Sequence, residues 1–371
     1  MIPESIAFSF ILGLPPSAGI HSTMIMSFIT ALFGGCPALI SGSTAAVATS
    51  LVGVQQALGQ EYIFLAVILG GILQTLMGVT GIYKYIYDIP KPVSSGFLVA
   101  LGTLIGLSQI QHLKDTKTNK WIESDELFAT VFFSLISMLI TQYGLLLLKF
   151  SALVDFNINI PGGLVAIIAL SMFFYFIPRK LPIQTVKDKG DIKSTIPALK
   201  IPKVEWTTMN ILKTLPFSLA MAIAGLTESL FMVNETSDLL KIQSNPLKET
   251  IAQGVANMLS GLAGGIGGCV LIGQSKFNLE NGSKTRISSL SASLLFIIIT
   301  LLLSSSIEKI PMPAIIGIMI IIALKTGDWN SLAKNIGDKN WLTTAGTSLI
   351  GIASNSLSLA IIGGSVIHHL L

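Results

Sequence analysis

Apolar residues run along this chain in long blocks that polar residues interrupt only briefly. The blocks cover 2–14, 16–33, 41–58, 62–86, 92–110, 127–149, 160–177, 211–234, 246–263, 269–280, 286–304, 311–325 and one or two stretches between 341 and 371. A hydrocarbon core about 30 Å thick takes roughly 20 apolar residues in a helix rising 1.5 Å per residue. The stretches 62–83, 127–148, 162–177 and 287–303 are candidates for such spans. The pattern predicts an all-α polytopic membrane protein of about 13–14 segments.

One polar stretch, 178–208, rich in Pro and Lys, splits the chain near its middle. It divides a single membrane transport domain, 1–371, into a first repeat over 1–177 and a second over 209–371. Each half carries the same construction. The first copy runs Gly34-Gly35-Cys36-Pro37 to Ser41-Gly42-Ser43-Thr44, and the second runs Gly264-Gly265-Ile266-Gly267-Gly268-Cys269 to Gly273-Gln274-Ser275-Lys276. In both, a glycine pair and a short apolar stretch open a helix too short to cross a bilayer. Glu4-Ser5 precedes the first copy and Glu228-Ser229 the second, at an offset of 224 residues, against 231 between Gly42 and Gly273. An odd number of segments per half inverts the second copy relative to the first. Interrupted segments at matching places in two halves mark the midplane site of a transporter. A chance likeness between two Gly-rich membrane segments is the alternative.

The block 2–14 is too short for a span, and no basic stretch precedes it as in a signal peptide. The expectation is a first repeat truncated at its N-terminus by a missing half-helix. The last apolar block ends close to Leu371, so no soluble tail domain is expected.

Composition fits a membrane protein. Hydrophobic residues make up 51% and charged residues 11%, against about 25% charged in soluble domains, and the mean hydropathy is +0.75. A formal charge of +4 gives no reason to expect a nucleic-acid partner. The four histidines and two cysteines form no metal-ligand spacing, so neither a metal nor a cofactor is expected beyond a coupling H+ or Na+. No nucleotide loop and no nucleophile motif is present, so the chain does not read as an enzyme.

At each broken helix, glycines let the backbone approach a ligand. The helix that follows offers unpaired N–H groups and the positive end of its dipole, which bind an anion without a fixed charge. Ser43 and Thr44 in one half, and Gln274 and Ser275 in the other, add side-chain donors. Lys276 either strengthens anion binding or snorkels to an interface. Glu228 lies in an otherwise uncharged run and reads either as a carboxylate that couples transport to H+ or Na+, or as the partner of Lys276 in a fixed ion pair. Glu4 and, one turn on, Phe8 are further candidates to line the site. A carboxylate introduced at Ser275 is expected to abolish anion uptake.

The stretch 2–54, and above all Thr227-Glu228-Ser229-Leu230, Gln253-Gly254-Val255-Ala256-Asn257 and Gly264-Gly265-Ile266-Gly267-Gly268-Cys269 with Ile272-Gly273-Gln274-Ser275, resemble the SulP family of inorganic anion transporters. The resemblance implies a seven-plus-seven transmembrane inverted repeat, with core and gate domains moving against each other in a homodimer. It places substrate between segments 3 and 10 with contributions from 1 and 8, hence at Glu4, Phe8, Ser43, Thr44, Glu228, Gln274, Ser275 and Lys276. Many relatives carry Gln at the position of Glu4, Arg or an uncharged residue at that of Lys276, and a STAS domain after the last helix.

The expected function is secondary transport of sulfate or bicarbonate by alternating access, coupled through Glu228, in a bacterial inner membrane. A nucleobase–proton symporter of the same fold, an uncoupled anion channel and a non-transporting membrane scaffold are the alternatives. The 178–208 stretch holds seven Lys and Arg against three acidic residues. Charge bias places it in the cytoplasm, whereas fourteen segments from a cytoplasmic start place it outside.

Overall fold

A computed structural model describes residues 1–114, 120–150, 161–176, 182–192, 196–334 and 336–371. The first half contains helices α1 (Ile2–Ile11) and α2 (Pro16–Phe33), a two-residue strand β1 (Ser41–Gly42), and then α3 (Ala45–Leu58) and α4 (Glu61–Thr80). A short α5 (Tyr83–Tyr87) leads to α6 (Lys91–Ser108), α7 (Ser124–Phe150) and α8 (Gly162–Phe176). One turn, α9 (Val186–Lys189), lies between the halves. The second half begins with α10 (Thr208–Leu240), α11 (Pro246–Leu262), strand β2 (Cys269–Val270) and α12 (Ile272–Glu280). It continues with α13 (Arg286–Leu302), the short α14 (Ser304–Glu308), α15 (Met312–Thr326), the short α16 (Trp329–Ala333), α17 (Lys339–Ser354) and α18 (Leu357–Leu370).

Among the described residues, four helices have the length and hydropathy for a full crossing: Glu61–Thr80, Lys91–Leu113, Ser124–Gly144 and Thr208–Leu240. Shorter apolar helices, Ile2–Ile11 and Ala45–Leu58 among them, fill in between. Local chemistry sets many boundaries. Proline opens α2 and α11, where its missing N–H costs nothing. The side chains of Asn245 and Thr207 cap α11 and α10 by accepting from Lys248 N (2.9 Å) and Asn210 N (3.2 Å). Helix α10 outruns its apolar block 211–234, because Glu235 to Leu240 continue the helix until Lys241 turns left-handed at φ 53°.

The helices sort into two bodies. Helices α1 to α4 pack with α10, α11 and α13, while α6, α7, α8, α15, α17 and α18 pack with one another. Without a hydrophobic drive between helices in lipid, small residues that let backbones approach carry the packing. A Cβ on Gly71 of α4 would lie 2.5 Å from the carbonyl oxygen of Gly254 in α11, and one on Gly317 of α15 would lie 2.5 Å from that of Ser134 in α7. The bodies meet where α1 and α12 face α15, where α3 faces α6, and where α18 faces α10 and α3.

Strands β1 and β2 pair antiparallel, Ser41 opposite Val270 and Gly42 opposite Cys269. Equivalent pieces of two inverted repeats can meet in this way, because inversion reverses the strand direction. Gly273 itself lies beyond β2, as the second residue of α12. Each broken segment is thus an extended piece followed by a half-helix, of 14 residues in α3 and 9 in α12, about 21 and 14 Å long at 1.5 Å per residue.

Of the polar stretch, 178–181 and 193–195 lie outside the described residues. The part 184–192 docks where α14 leads into α15: Val186 N donates to Ile310 O at 3.0 Å, Met312 N to Gln184 O at 2.9 Å, and Ile192 N to the Glu308 carboxylate at 2.9 Å. The later part lies against the core body, with Lys200 N donating to Leu262 O and Lys203 N to the Glu61 carboxylate at 3.3 Å.

Candidate functional site

A cavity of about 30 Å³ opens where the two half-helices begin. Glu4 and Phe8, one turn apart on α1, form one wall, with Glu228 of α10 and Gln274 of α12 beside them. Thr44 and Ala45 line it at the start of α3, and Leu271, Ile272 and Gly273 at the start of α12. Both N-terminal ends therefore face one small space. Neither N-cap residue, Thr44 or Leu271, caps its helix with its side chain. The first-turn N–H groups and the dipoles of both half-helices are left for whatever occupies the cavity.

The polar side chains are linked. Thr44 Oγ1 lies 2.9 Å from Cys269 Sγ, and Cys269 Sγ donates to Glu228 Oε2 at 2.9 Å. The amide of Gln274 donates to the Glu4 carboxylate, which also lies 3.1 Å from the Met1 amino nitrogen. Glu4 and Glu228 are both buried. Among the described residues Glu228 has only neutral partners, and no cluster fit to hold a metal ion is present.

Three of the candidate residues do not line this cavity. Ser43 donates to Gly19 O at 2.9 Å and accepts from Thr23 at 3.2 Å, which ties the chain after β1 to α2. Ser275 is fully buried and accepts from Ile40 N at 3.0 Å, holding the residue that leads into β1. Each residue turns a helix by about 100°, so with Gln274 facing the cavity, Ser275 and Lys276 point elsewhere. Lys276 pairs with Glu235 at 3.7 Å rather than with Glu228, and its Nζ sits 5.8 Å from the Phe231 ring centre. A carboxylate at Ser275 would thus break the contact with Ile40 instead of reporting on a ligand. The Lys276–Glu235 pair is about two-fifths exposed on both sides, so a double-mutant cycle in thermal unfolding is expected to return under about 1 kcal/mol. A coupling of several kcal/mol would show that the pair is a structural strut.

Residues to which the sequence assigned no part in the site hold it in shape. Asn257 grips Gly268 on both sides, accepting from its N–H at 2.8 Å and donating to its carbonyl at 3.0 Å, and also donates to Gln74 at 2.8 Å. Ser22 donates to Gly267 O at 2.7 Å, and Gln253 donates to Ser41 at 2.9 Å. Glu249 supports the first glycine pair by accepting from Gly35 N at 2.7 Å. Irregular backbone at membrane depth needs such partners. Asn257 and Gln253 stand out in sequence as polar residues in an apolar block and as part of the stretch that carries the resemblance, and Cys269 reads as a small packing residue.

On the other body, Leu101 and Ile105 of α6 and Ile322 and Thr326 of α15 close the cavity. Just beyond, burial works against the Asp328 carboxylate, yet hydroxyl donors on Ser331 (2.6 Å) and Ser95 (2.7 Å) outweigh it and hold the group below its ordinary pKa.

Inverted repeats whose half-helices meet N-terminus to N-terminus across a buried cavity define a polytopic membrane protein of the inverted-repeat transporter fold. Residues 1–340 match the Sulfate permease family, and the chain belongs to that family. It is 32% identical to "Putative sulfate transporter YbaR" of Bacillus subtilis over 90% of this chain and 65% of that protein. It is 26% identical to the "Bicarbonate transporter BicA" of Synechocystis over 86% of this chain and 57% of that protein. The chain thus spans less than two thirds of the length of these relatives. The solved transmembrane domain of a cyanobacterium bicarbonate transporter BicA shares the fold, with a TM-score of 0.77 at 23% identity, covering 97% of this chain and 93% of that one.

Proposed function

We propose that the chain is the membrane part of a secondary transporter for a small inorganic anion, sulfate or bicarbonate. In this reading it works by alternating access as a homodimer in a bacterial cell membrane. The observation that carries the reading is the pair of uncapped half-helix N-termini opening onto one cavity. They offer an anion backbone donors and two positive dipole ends without a fixed cation. The names of the relatives, sulfate and bicarbonate transporters, agree in ligand class.

Coupling follows from charge. Glu228 is buried beside the cavity with neutral partners only, and an anion entering next to an ionised carboxylate is repelled in a low-dielectric site. Binding of H+ or Na+ at Glu228 removes that repulsion and ties anion entry to the cation.

The test is uptake into proteoliposomes of radiolabelled sulfate, bicarbonate, fumarate and uracil, with pH and Na+ gradients imposed separately. Sulfate or bicarbonate uptake driven by one gradient is expected. Uracil uptake without anion uptake would overturn the reading in favour of a nucleobase symporter. Glu228→Gln, a mimic of the protonated acid, is expected to lower gradient-driven uptake at least tenfold while leaving exchange across equal gradients. Gradient-driven uptake that survives the substitution would remove Glu228 from coupling.

A further inference from the structure

The polar groups of the cavity are divided unequally between the two bodies. Glu4, Thr44, Glu228, Gln274 and both helix N-termini belong to the core body, whereas the gate body presents Leu101, Ile105 and Ile322. Thr326, the last residue of α15, is the one polar gate residue lining the cavity among the described residues.

Many threonines within helices return their hydroxyl to the carbonyl four residues back, as Thr103 to Val99 (2.8 Å), Thr227 to Ile223 (2.8 Å), Thr300 to Phe296 (2.7 Å) and Thr347 to Thr343 (2.7 Å). Others do not: Thr344 donates to Pro92 O at 3.0 Å, and Thr141 lacks a partner among the described residues but lines no cavity with the half-helix N-termini. Among the described residues Thr326 makes no such bond to Ile322 and no other side-chain hydrogen bond, and the half-buried residue is not one of those whose polar atom is sealed in without a partner. The turn that carries it is nonetheless anchored. Gly327 N donates to Ala323 O at 3.3 Å, and Asp328 is tied to Ser95 of α6 and Ser331 of α16. An unspent donor sits on a fixed turn and faces the anchored N-termini of α3 and α12 across the cavity.

We infer that Thr326 is the gate-side ligand contact: its hydroxyl donates to the anion held at the two half-helices, so that the substrate itself bridges core and gate. This rests on the reading of the cavity as an anion site. When the gate closes over an empty cavity, polar core groups meet Leu101, Ile105 and Ile322, and the hydroxyl of Thr326 gains nothing. With an anion in place, closure adds a hydrogen bond to a charged acceptor. A ligand moves a conformational equilibrium only by the difference in its affinity for the two states, and Thr326 supplies such a difference. It is a specificity-determining residue for loaded over empty closure.

The experiment compares wild type, Thr326→Val (same shape, no hydroxyl) and Thr326→Ser (hydroxyl kept), reconstituted as the full chain. Uptake of labelled sulfate and of labelled bicarbonate is measured for rate and KM, with equilibrium binding of the same anion. In Thr326→Val the maximal rate is expected to fall about tenfold, as for loss of a charge-assisted hydrogen bond, with the equilibrium Kd changing much less. Thr326→Ser returns most of the rate, which a purely packing role would not do. A Thr326→Val protein that transports like a wild type active toward anions overturns the inference and leaves the anion site standing. A wild type that takes up neither anion overturns the underlying reading, and the bridging role with it.

Discussion

Replacing Gly273 with aspartate abolishes anion uptake and leaves the protein folded. Gly273 is the second residue of α12 and lines the cavity, and a Cβ built there meets nothing within 4 Å. The side chain therefore fits without displacing a neighbour. An acidic residue in a first helical turn is favoured by the dipole and by the free N–H groups, by about 0.3–1 kcal/mol, which offsets part of the repulsion from Glu4 and Glu228 lining the same cavity, so the melting temperature is expected to change by only a few degrees. The same carboxylate occupies the place where those groups would receive a ligand, and uptake is expected to drop at least about a hundredfold, near 2.7 kcal/mol. A small change in stability beside a large loss of transport separates the site from the fold in one variant. Uptake above a tenth of wild type in a folded Gly273→Asp protein would place the anion elsewhere.

Gly268→Ala acts in the other sense, on the fold first. Its Cβ would lie 2.0 Å from the carbonyl oxygen and 2.6 Å from the carbonyl carbon of Gly42. Both obstacles are backbone, so no side chain can swing aside, and β1 must move away from β2. The pairing of Gly42 with Cys269 and the clasp of Asn257 on Gly268 are lost together. Overpacking of this kind costs about 3 kcal/mol, enough to lower the melting temperature in detergent by several degrees and to remove uptake. Gly273→Ala, where the added methyl meets nothing, is the control and is expected to melt no lower than wild type. Equal melting of Gly268→Ala and Gly273→Ala would show that β1 and β2 can separate without cost.

The two substitutions lie five residues apart in one glycine-rich stretch, and the sequence offers no means of telling their roles apart. Gly268 and Gly273 look alike in the run from Gly264 to Gly273. One is a contact point between two chain segments more than 200 residues apart, the other an opening onto a cavity. The same holds for hydroxyls. Ser43 and Ser275 sit beside Thr44 and Gln274, yet they serve Gly19 and Ile40, while their neighbours line the cavity. Periodicity gives the direction of a side chain only when the helix start is known, and α12 starts at Ile272, not after Gly273.

Much was determined by the sequence alone. Apolar blocks, scarce charge, two interrupted segments and a chain split near its middle define a polytopic inverted repeat, because lipid admits few solutions for a backbone that must bond internally. Glu4, Thr44, Glu228 and Gln274 were legible because an ionisable or polar residue at membrane depth is costly and therefore conspicuous, whereas Phe8 followed only from its place one turn after Glu4, and the resemblance to the family joined them into one set. Only the tertiary structure decided that Cys269 links Thr44 to Glu228, that Lys276 turns away to Glu235, and that Thr326 faces the site from the opposite body. The physical reason is distance along the chain. Hydropathy and helical period act over a few residues, whereas a hydrogen bond or a shared cavity depends on which remote segments the packing brings within 3 Å of each other.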